Sequence, residues 1–308
     1  MTVDVIIPAY KPGPKFIKLI EALSKQTVPV RKIIVINTEE KYWLHDFPGQ
    51  VEVHHIKKEE FDHGHTRNVG VSYSDADIVI LMTDDAIPAD DKLTYELTEP
   101  FLSDDKIGAV YARQLAGDDS GIAEKFSREF NYSDEPCLKG INDIERLGIK
   151  TFFCSNVCAA YRKEIFDSLG GFTDKAIFNE DMIYAAKLVD NGYLICYANK
   201  AKVIHSHNYN NSGQLHRNFD NAVSQAMNPE VFSRVSSESE GIKYVLKAFS
   251  YFIKAGKPFA IFPFVISAAY KLYGFKMGKK YKTLSHEKIL KLTMNPGFFE
   301  KMWDIDEG

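Results

Sequence analysis

The chain holds only four cysteines in 308 residues, Cys137, Cys154, Cys158 and Cys196, too few and too scattered for a disulfide framework. Cys154 and Cys158 have no second pair nearby to complete a zinc site, so all four read as reduced thiols of a cytosolic protein. No Gly-x-Gly-x-x-Gly turn follows the first apolar strand, and no Walker A sequence occurs anywhere. A bound nucleotide is therefore not held by glycine-rich wrapping. No apolar stretch has the uninterrupted length of a membrane-spanning helix; the nearest, Phe259 to Tyr270, contains Pro263. The N-terminal Met1 to Pro8 lacks the basic segment and cleavage pattern of a signal peptide and begins as a strand, so the expectation is a cytosolic protein. A formal net charge of -4 gives no global attraction for nucleic acid.

What is present is strand and helix in alternation. Val3 to Ile7, Lys32 to Ile36, Val51 to His55 and Ile78 to Met82 read as strands, with helices at Lys15 to Gln26 and Thr66 to Ser74. That order, with short connections, predicts an α/β fold with a mostly parallel sheet flanked by helices. From Gly117 to Lys150 the chain turns polar and aromatic, an excursion suited to a second substrate. Core character returns at Phe152 to Tyr161, followed by helices at Lys163 to Leu169 and Glu180 to Asn191, then short strands at Tyr193 to Tyr197 and Lys202 to His205. The division expected is a first domain over 1–215, in two halves near 1–115 and 116–215, then a helical region over 216–308.

Four groups of residues carry chemistry. The buried strand Ile78 to Met82 runs into Asp84 and Asp85, and adjacent carboxylates repel unless a proton or a hard cation such as Mg²⁺ or Mn²⁺ neutralises them. Helix capping by Asp84 is the bland alternative, equally weighted on these residues alone. Arg67, in the first turn of a helix, can aim a bidentate fork at phosphate, while Asp62 and His63 before it can cap that helix. Glu180 and Asp181 open a helix, where one acid serves the helix dipole and a carboxylate such as Asp181 suits a general base, with Glu180 supporting. His205 and His207 share one face at a strand end, and either imidazole could complete a metal shell of Mn²⁺ or Mg²⁺ character.

Beyond Gly241 the composition changes: nine lysines and no acidic residue lie between Gly241 and His286, interleaved with aromatics. This is the composition of helices lying in a membrane interface. A hairpin packed on its own domain or on a second subunit, as in a homodimer, is the competing reading, and no nucleic-acid motif accompanies the lysines.

Taken together, Ile6 to Tyr10, Thr66-Arg67-Asn68, Thr83 to Ala86, Asn156 to Phe172, Asn179-Glu180-Asp181 and His205-Ser206-His207 resemble a family 2 glycosyltransferase with the GT-A fold, over roughly Val3 to Tyr209. Glu60 to Asn68 is similar to the bacterial rhamnosyltransferase branch of that family, which uses dTDP-L-rhamnose. The resemblance implies inverting transfer from a nucleotide sugar with no covalent intermediate. It implies Asp85 as metal ligand, with His205 or His207 beside it, and Asp181 as base. Nucleotide-sugar contacts fall on Pro8, Ala9, Tyr10, Arg67, Asp84 and Asp85, and acceptor contacts on Ser155 and Asn156. The family's aspartate after the second strand is absent, leaving Asn37 or Thr38 to meet the base.

The leading expectation is a metal-dependent rhamnosyltransferase acting on a polyprenyl-linked glycan in polysaccharide assembly, peripheral on the inner face of the cell membrane through 241–286. The alternatives are the same fold with a UDP-hexose or UDP-N-acetylhexosamine donor, and a catalytically silent glycan-binding or sugar-nucleotide-binding module.

Overall fold

The computed structural model describes residues 1–47, 49–206, 209–235 and 238–306. The chain divides into two compact units: Met1–Asp118, Asn131–Asp174 and Glu180–Ser206 form the first, and Asp119–Phe130, Lys175–Asn179 and His207–Gly308 the second. The second unit thus takes in two short stretches from the middle of the chain as well as the helical C-terminal region.

The first unit is built on one sheet of nine strands: β1 (Val3–Tyr10), β2 (Lys32–Thr38), β3 (Val51–Ile56), β4 (Ile78–Met82), β5 (Ile87–Pro88), β6 (Ile107–Leu115), β7 (Cys137–Lys139), β8 (Cys158–Arg162) and β9 (Leu194–Ile204). Their order is β3-β2-β1-β4-β8-β6-β9-β5, with β7 also on β9. β1 to β4 pair in parallel, but β8 runs antiparallel to both β4 and β6. The parallel expectation therefore describes the first half, and the sheet as a whole is mixed. Continuous runs such as Ile33 to Ile36 and Ile78 to Met82 are fully buried, as a sheet covered on both faces requires. Each such side chain contributes about 1.5–3 kcal/mol over leaving it in water.

Two expected short strands prove to be one, β9, whose pairing with β6 shifts register between Ala198 and Lys202. Asn199 and Lys200 sit in that irregularity, and their polarity is what made the sequence look interrupted.

The His63–Ser72 helix begins as its capping residues dictate: the Asp62 carboxylate accepts from the Gly64 and His65 amides, each at 2.9 Å. Asn68 on this helix clasps the Phe172 backbone, accepting from its N–H at 3.0 Å and donating to its carbonyl at 2.9 Å. Gly64 permits this approach, because a Cβ there would stand 2.0 Å from the Thr173 carbonyl oxygen.

Candidate active site

The pairing registers bring the ends of β1, β2, β4, β6 and β9 to one edge of the sheet, together with the start of the antiparallel β8. Ligands in open α/β sheets bind outside this edge. At the end of β1, Tyr10 is exposed and meets Tyr42 edge-on at 5.6 Å between ring centroids. Lys11 and Glu39, just past β1 and β2, both hold left-handed backbone (φ 52° and 68°). Such strain in non-glycine residues persists only where surrounding structure imposes it.

Asn37 is fully buried at the end of β2, its amide nitrogen donating to the Glu39 carbonyl at 3.1 Å and lying 3.0 Å from His55 Nδ1. Asn37 Oδ1, Thr38 Oγ1 and Thr83 Oγ1 are buried with no hydrogen-bond partner among the described residues. Buried polar atoms are ordinarily satisfied, so orphans along one strand edge are what a polar ligand would complete.

Asp84 accepts from the Tyr10 amide at 3.4 Å. Burial first, and the like charge of Asp85 after it, push the Asp84 carboxyl up to about 6 against that hydrogen bond. Asp85 Oδ1 lies 3.4 Å from His205 Nε2. The His205 tautomer follows from Gln114 on β6. The Gln114 amide nitrogen donates to Ser155 Oγ at 3.0 Å and to the Tyr132 hydroxyl. Its oxygen is thereby left to accept from His205 Nδ1 at 3.0 Å, which makes Nε2 the nitrogen that faces Asp85. A carboxylate oxygen and an imidazole nitrogen facing each other fit a divalent cation of Mg²⁺ or Mn²⁺ type, which commonly takes few protein ligands and fills its shell from phosphates and water. Among the described residues no group of three His, Cys, Asp or Glu forms a complete metal cage. His207, the second histidine of the expected metal pair, lies outside the described residues.

The other acids open the Glu180–Asp190 helix. Asp181 Oδ2 accepts from the Asn156 amide at 3.2 Å and Oδ1 from the Met182 amide at 2.7 Å. Burial and the neighbouring Glu180 charge nevertheless push its carboxyl up to about 7. Burial acts the same way on Glu180, but the Arg67 guanidinium, with His63 and Asn156, outweighs it and holds Glu180 below the ordinary carboxylate range. Arg67 Nη1 stands 3.3 Å from Glu180 and donates to the His63 carbonyl at 2.8 Å. Only 6 % exposed, Arg67 lies beneath the surface where a phosphate grip was expected, with its Nε unpartnered among the described residues.

Asn156, expected to touch acceptor, is likewise buried. Its amide nitrogen donates to Glu180 at 3.1 Å and its oxygen accepts from the Tyr161 hydroxyl at 2.7 Å. Asn156 and Arg67 hold the acid pair from below. Gln114 was missed in the sequence, where a mid-strand glutamine carries no local signal, and Tyr161 stood out only as part of the Asn156 to Phe172 stretch, with no role assigned.

A mixed sheet with helices on its faces and this carboxylate-lined edge is the GT-A fold, and the chain belongs to glycosyl transferase family 2, whose model matches residues 4–170. It is a glycosyltransferase. Over 289 residues it is 36 % identical to the O-antigen chain rhamnosyltransferase RfbN of Salmonella typhimurium, covering 92 % of this chain and 91 % of that one. The O-antigen chain rhamnosyltransferase WbaN of Salmonella anatum is 34 % identical over 91 % of this chain and 90 % of its own. Among solved structures, a mannosyltransferase from Pyrobaculum calidifontis, in complex with GDP-Man and Mn²⁺, superposes with a TM-score of 0.58 at 14 % identity, covering 92 % of this chain and 88 % of that one.

Proposed function

We propose that this protein is an inverting rhamnosyltransferase that moves L-rhamnose from dTDP-L-rhamnose to a hydroxyl of a lipid-linked glycan in polysaccharide assembly. The reaction class rests above all on the split acid pair: Glu180 is kept ionised by Arg67, while Asp181 is raised to about 7, where a general base works near neutral pH. The sugar rests on the two relatives named as rhamnosyltransferases.

In this reading Asp181 takes the proton of the acceptor hydroxyl as its oxygen bonds to the sugar C1. The bond from C1 to the phosphate oxygen breaks, and dTDP leaves with that electron pair. Asn156 and Arg67 fix Asp181 and Glu180 in position. Pro8 to Tyr10, Asn37, Thr38 and Asp84 hold the nucleoside, the unpartnered oxygens of Asn37 and Thr38 supporting their part. Ser155 borders the acceptor. Asp85 and His205, with His207, would hold Mn²⁺ or Mg²⁺, which supplies positive charge to the leaving diphosphate. Catalysis belongs to residues 1–215 and membrane proximity to 216–308, with the protein peripheral on the cytoplasmic face through 241–286.

A donor panel with Mn²⁺ or Mg²⁺, read by nucleotide release, tests this. Release from dTDP-L-rhamnose should exceed that from UDP-glucose, UDP-N-acetylglucosamine and GDP-mannose by at least ~10-fold, since a site built for one set of polar groups rejects another strongly. Preference for UDP-glucose would overturn the rhamnose assignment and leave the family intact.

A further inference from the structure

The basic, aromatic stretch folds as two helices, Glu238–Lys254 and Ile261–Lys279, joined through a short turn at Pro258–Ala260. One face of the pair is used internally, where Ala248, Phe252 and Phe264 are buried with Phe126. The second helix also lies against the Asn211–Met227 helix. A Cβ at Gly274 would stand 2.2 Å from the Leu215 carbonyl oxygen, and one at Gly278 2.3 Å from that of Phe219, so only glycine lets these backbones meet.

By length and composition alone Pro258–Lys279 could cross a membrane. The sequence reading took only Phe259 to Tyr270, too short to span and interrupted by Pro263, yet that proline falls in the first turn, where it does not break a helix. With its last turns held along another helix through Gly274 and Gly278, it reads as lying on a surface, not spanning one.

An apolar row remains outside on each helix. Ile242, Leu246 and Ile253 are exposed on the first, at the four- and seven-residue spacing of one helical face. Phe262, Ile266, Tyr270 and Tyr273 repeat the pattern on the second, and Phe259 at the turn is 92 % exposed. Lys243, Lys247 and Lys254 each follow a member of the first row by one position, so an exposed lysine row runs beside the apolar one. Lys257 stands exposed at the turn and Lys276 and Lys279 at the far end of the second helix. No acidic residue lies between Gly241 and His286.

Apolar rows of this extent mark an interaction surface, and charge of a single sign beside them selects an anionic one. A second copy of the chain on the same face would bring lysine against lysine. We infer that this helical pair docks on an anionic lipid bilayer, with Phe259 and Phe262 entering the acyl boundary and the lysines meeting headgroup phosphates. The inference deepens the peripheral contact proposed above and rests on it.

Full-length protein should sediment with phosphatidylcholine vesicles containing phosphatidylglycerol, bind pure phosphatidylcholine at least ~10-fold more weakly, and lose binding as salt rises. Phe259→Ser with Phe262→Ser, and separately Lys243→Glu with Lys247→Glu and Lys254→Glu, should each weaken anionic-vesicle binding at least ~10-fold. Phe262→Trp should shift its emission to the blue with anionic vesicles only. Undiminished binding by both multiple variants overturns the inference, as does a dimer in sedimentation equilibrium that these substitutions dissociate. Donor turnover in vesicle-free buffer separates the two readings: the variants should match the parent there, and a parent inactive on dTDP-L-rhamnose would sink the donor assignment without touching the vesicle result.

Discussion

The sheet edge carries two pairs of adjacent carboxylates that solve the same electrostatic problem differently. Glu180 and Asp181 have a cation built in: buried Arg67 stands 3.3 Å from Glu180, and its charge keeps one acid ionised while the other rises to about 7. Asp84 and Asp85 meet an amide and an imidazole instead, the Tyr10 N–H on one and His205 Nε2 on the other. A pair with an internal cation already has one acid ionised and the other raised to about 7, as the proposed proton transfer requires, whatever else binds. A carboxylate pair beside an imidazole nitrogen has instead the oxygen and nitrogen donors of the proposed site for an external cation. The comparison yields distinct ways of failing.

The largest expected effect is loss of the proposed base. Asp181→Asn should lower kcat by about 10³-fold, the scale of general acid–base catalysis, and leave nucleotide binding near that of the parent. Asp85→Asn should instead show its loss first in Mn²⁺ affinity, measured by titration with dTDP present. If Asp181→Asn weakened Mn²⁺ binding as much as Asp85→Asn, the two pairs would not be functionally distinct.

Glu180→Gln breaks the internal pairing and has two readouts. It leaves buried Arg67 without its counter-charge, which should cost about 3–5 kcal/mol in denaturant unfolding. It also removes the charge that, after burial, most raises Asp181. Asp181 must be ionised to accept a proton, so in the parent kcat/KM should fall as pH drops through about 7. In Glu180→Gln that acid limb should move to lower pH, leaving the variant several-fold more active at pH 6, relative to its own plateau, than the parent. An unmoved limb would detach it from Asp181.

How much of this was legible follows from how far each signal reaches along the chain. The runs of β1, β2 and β4 are continuous because both sheet faces are covered, so they stand out in the sequence. Nothing in Cys158-Ala159-Ala160-Tyr161 encodes direction, so the antiparallel insertion of β8 between β4 and β6 could not be read. The acid pairs were visible because their members adjoin one another at element ends. Arg67 was visible as a cation, but its partner lies more than a hundred residues away; the helix also starts at His63, not Thr66, which puts Arg67 in the second turn and not in the first turn where a phosphate grip was expected. The Gln114–His205 contact spans 91 residues and joins an ordinary strand position to a motif histidine.

That contact gives the smallest effect and the finest test of the external-cation pair. Gln114→Leu keeps the bulk but no longer holds the proton on His205 Nδ1, so Nε2 is the nitrogen open to a cation only part of the time. Mn²⁺ affinity with dTDP bound should fall by about 10–100-fold, as losses behind a metal-binding histidine do. Gln114→Glu separates this from a packing defect. A carboxylate there still accepts from Nδ1–H, while the Tyr132 and Ser155 hydroxyls can rotate to donate to it. Its Mn²⁺ affinity should stay within a few-fold of the parent, although the substitution adds a charge at a position 2 % exposed. If leucine and glutamate variants bound Mn²⁺ alike, Gln114 would be a packing residue, and the orientation of His205 toward Asp85 would need another source.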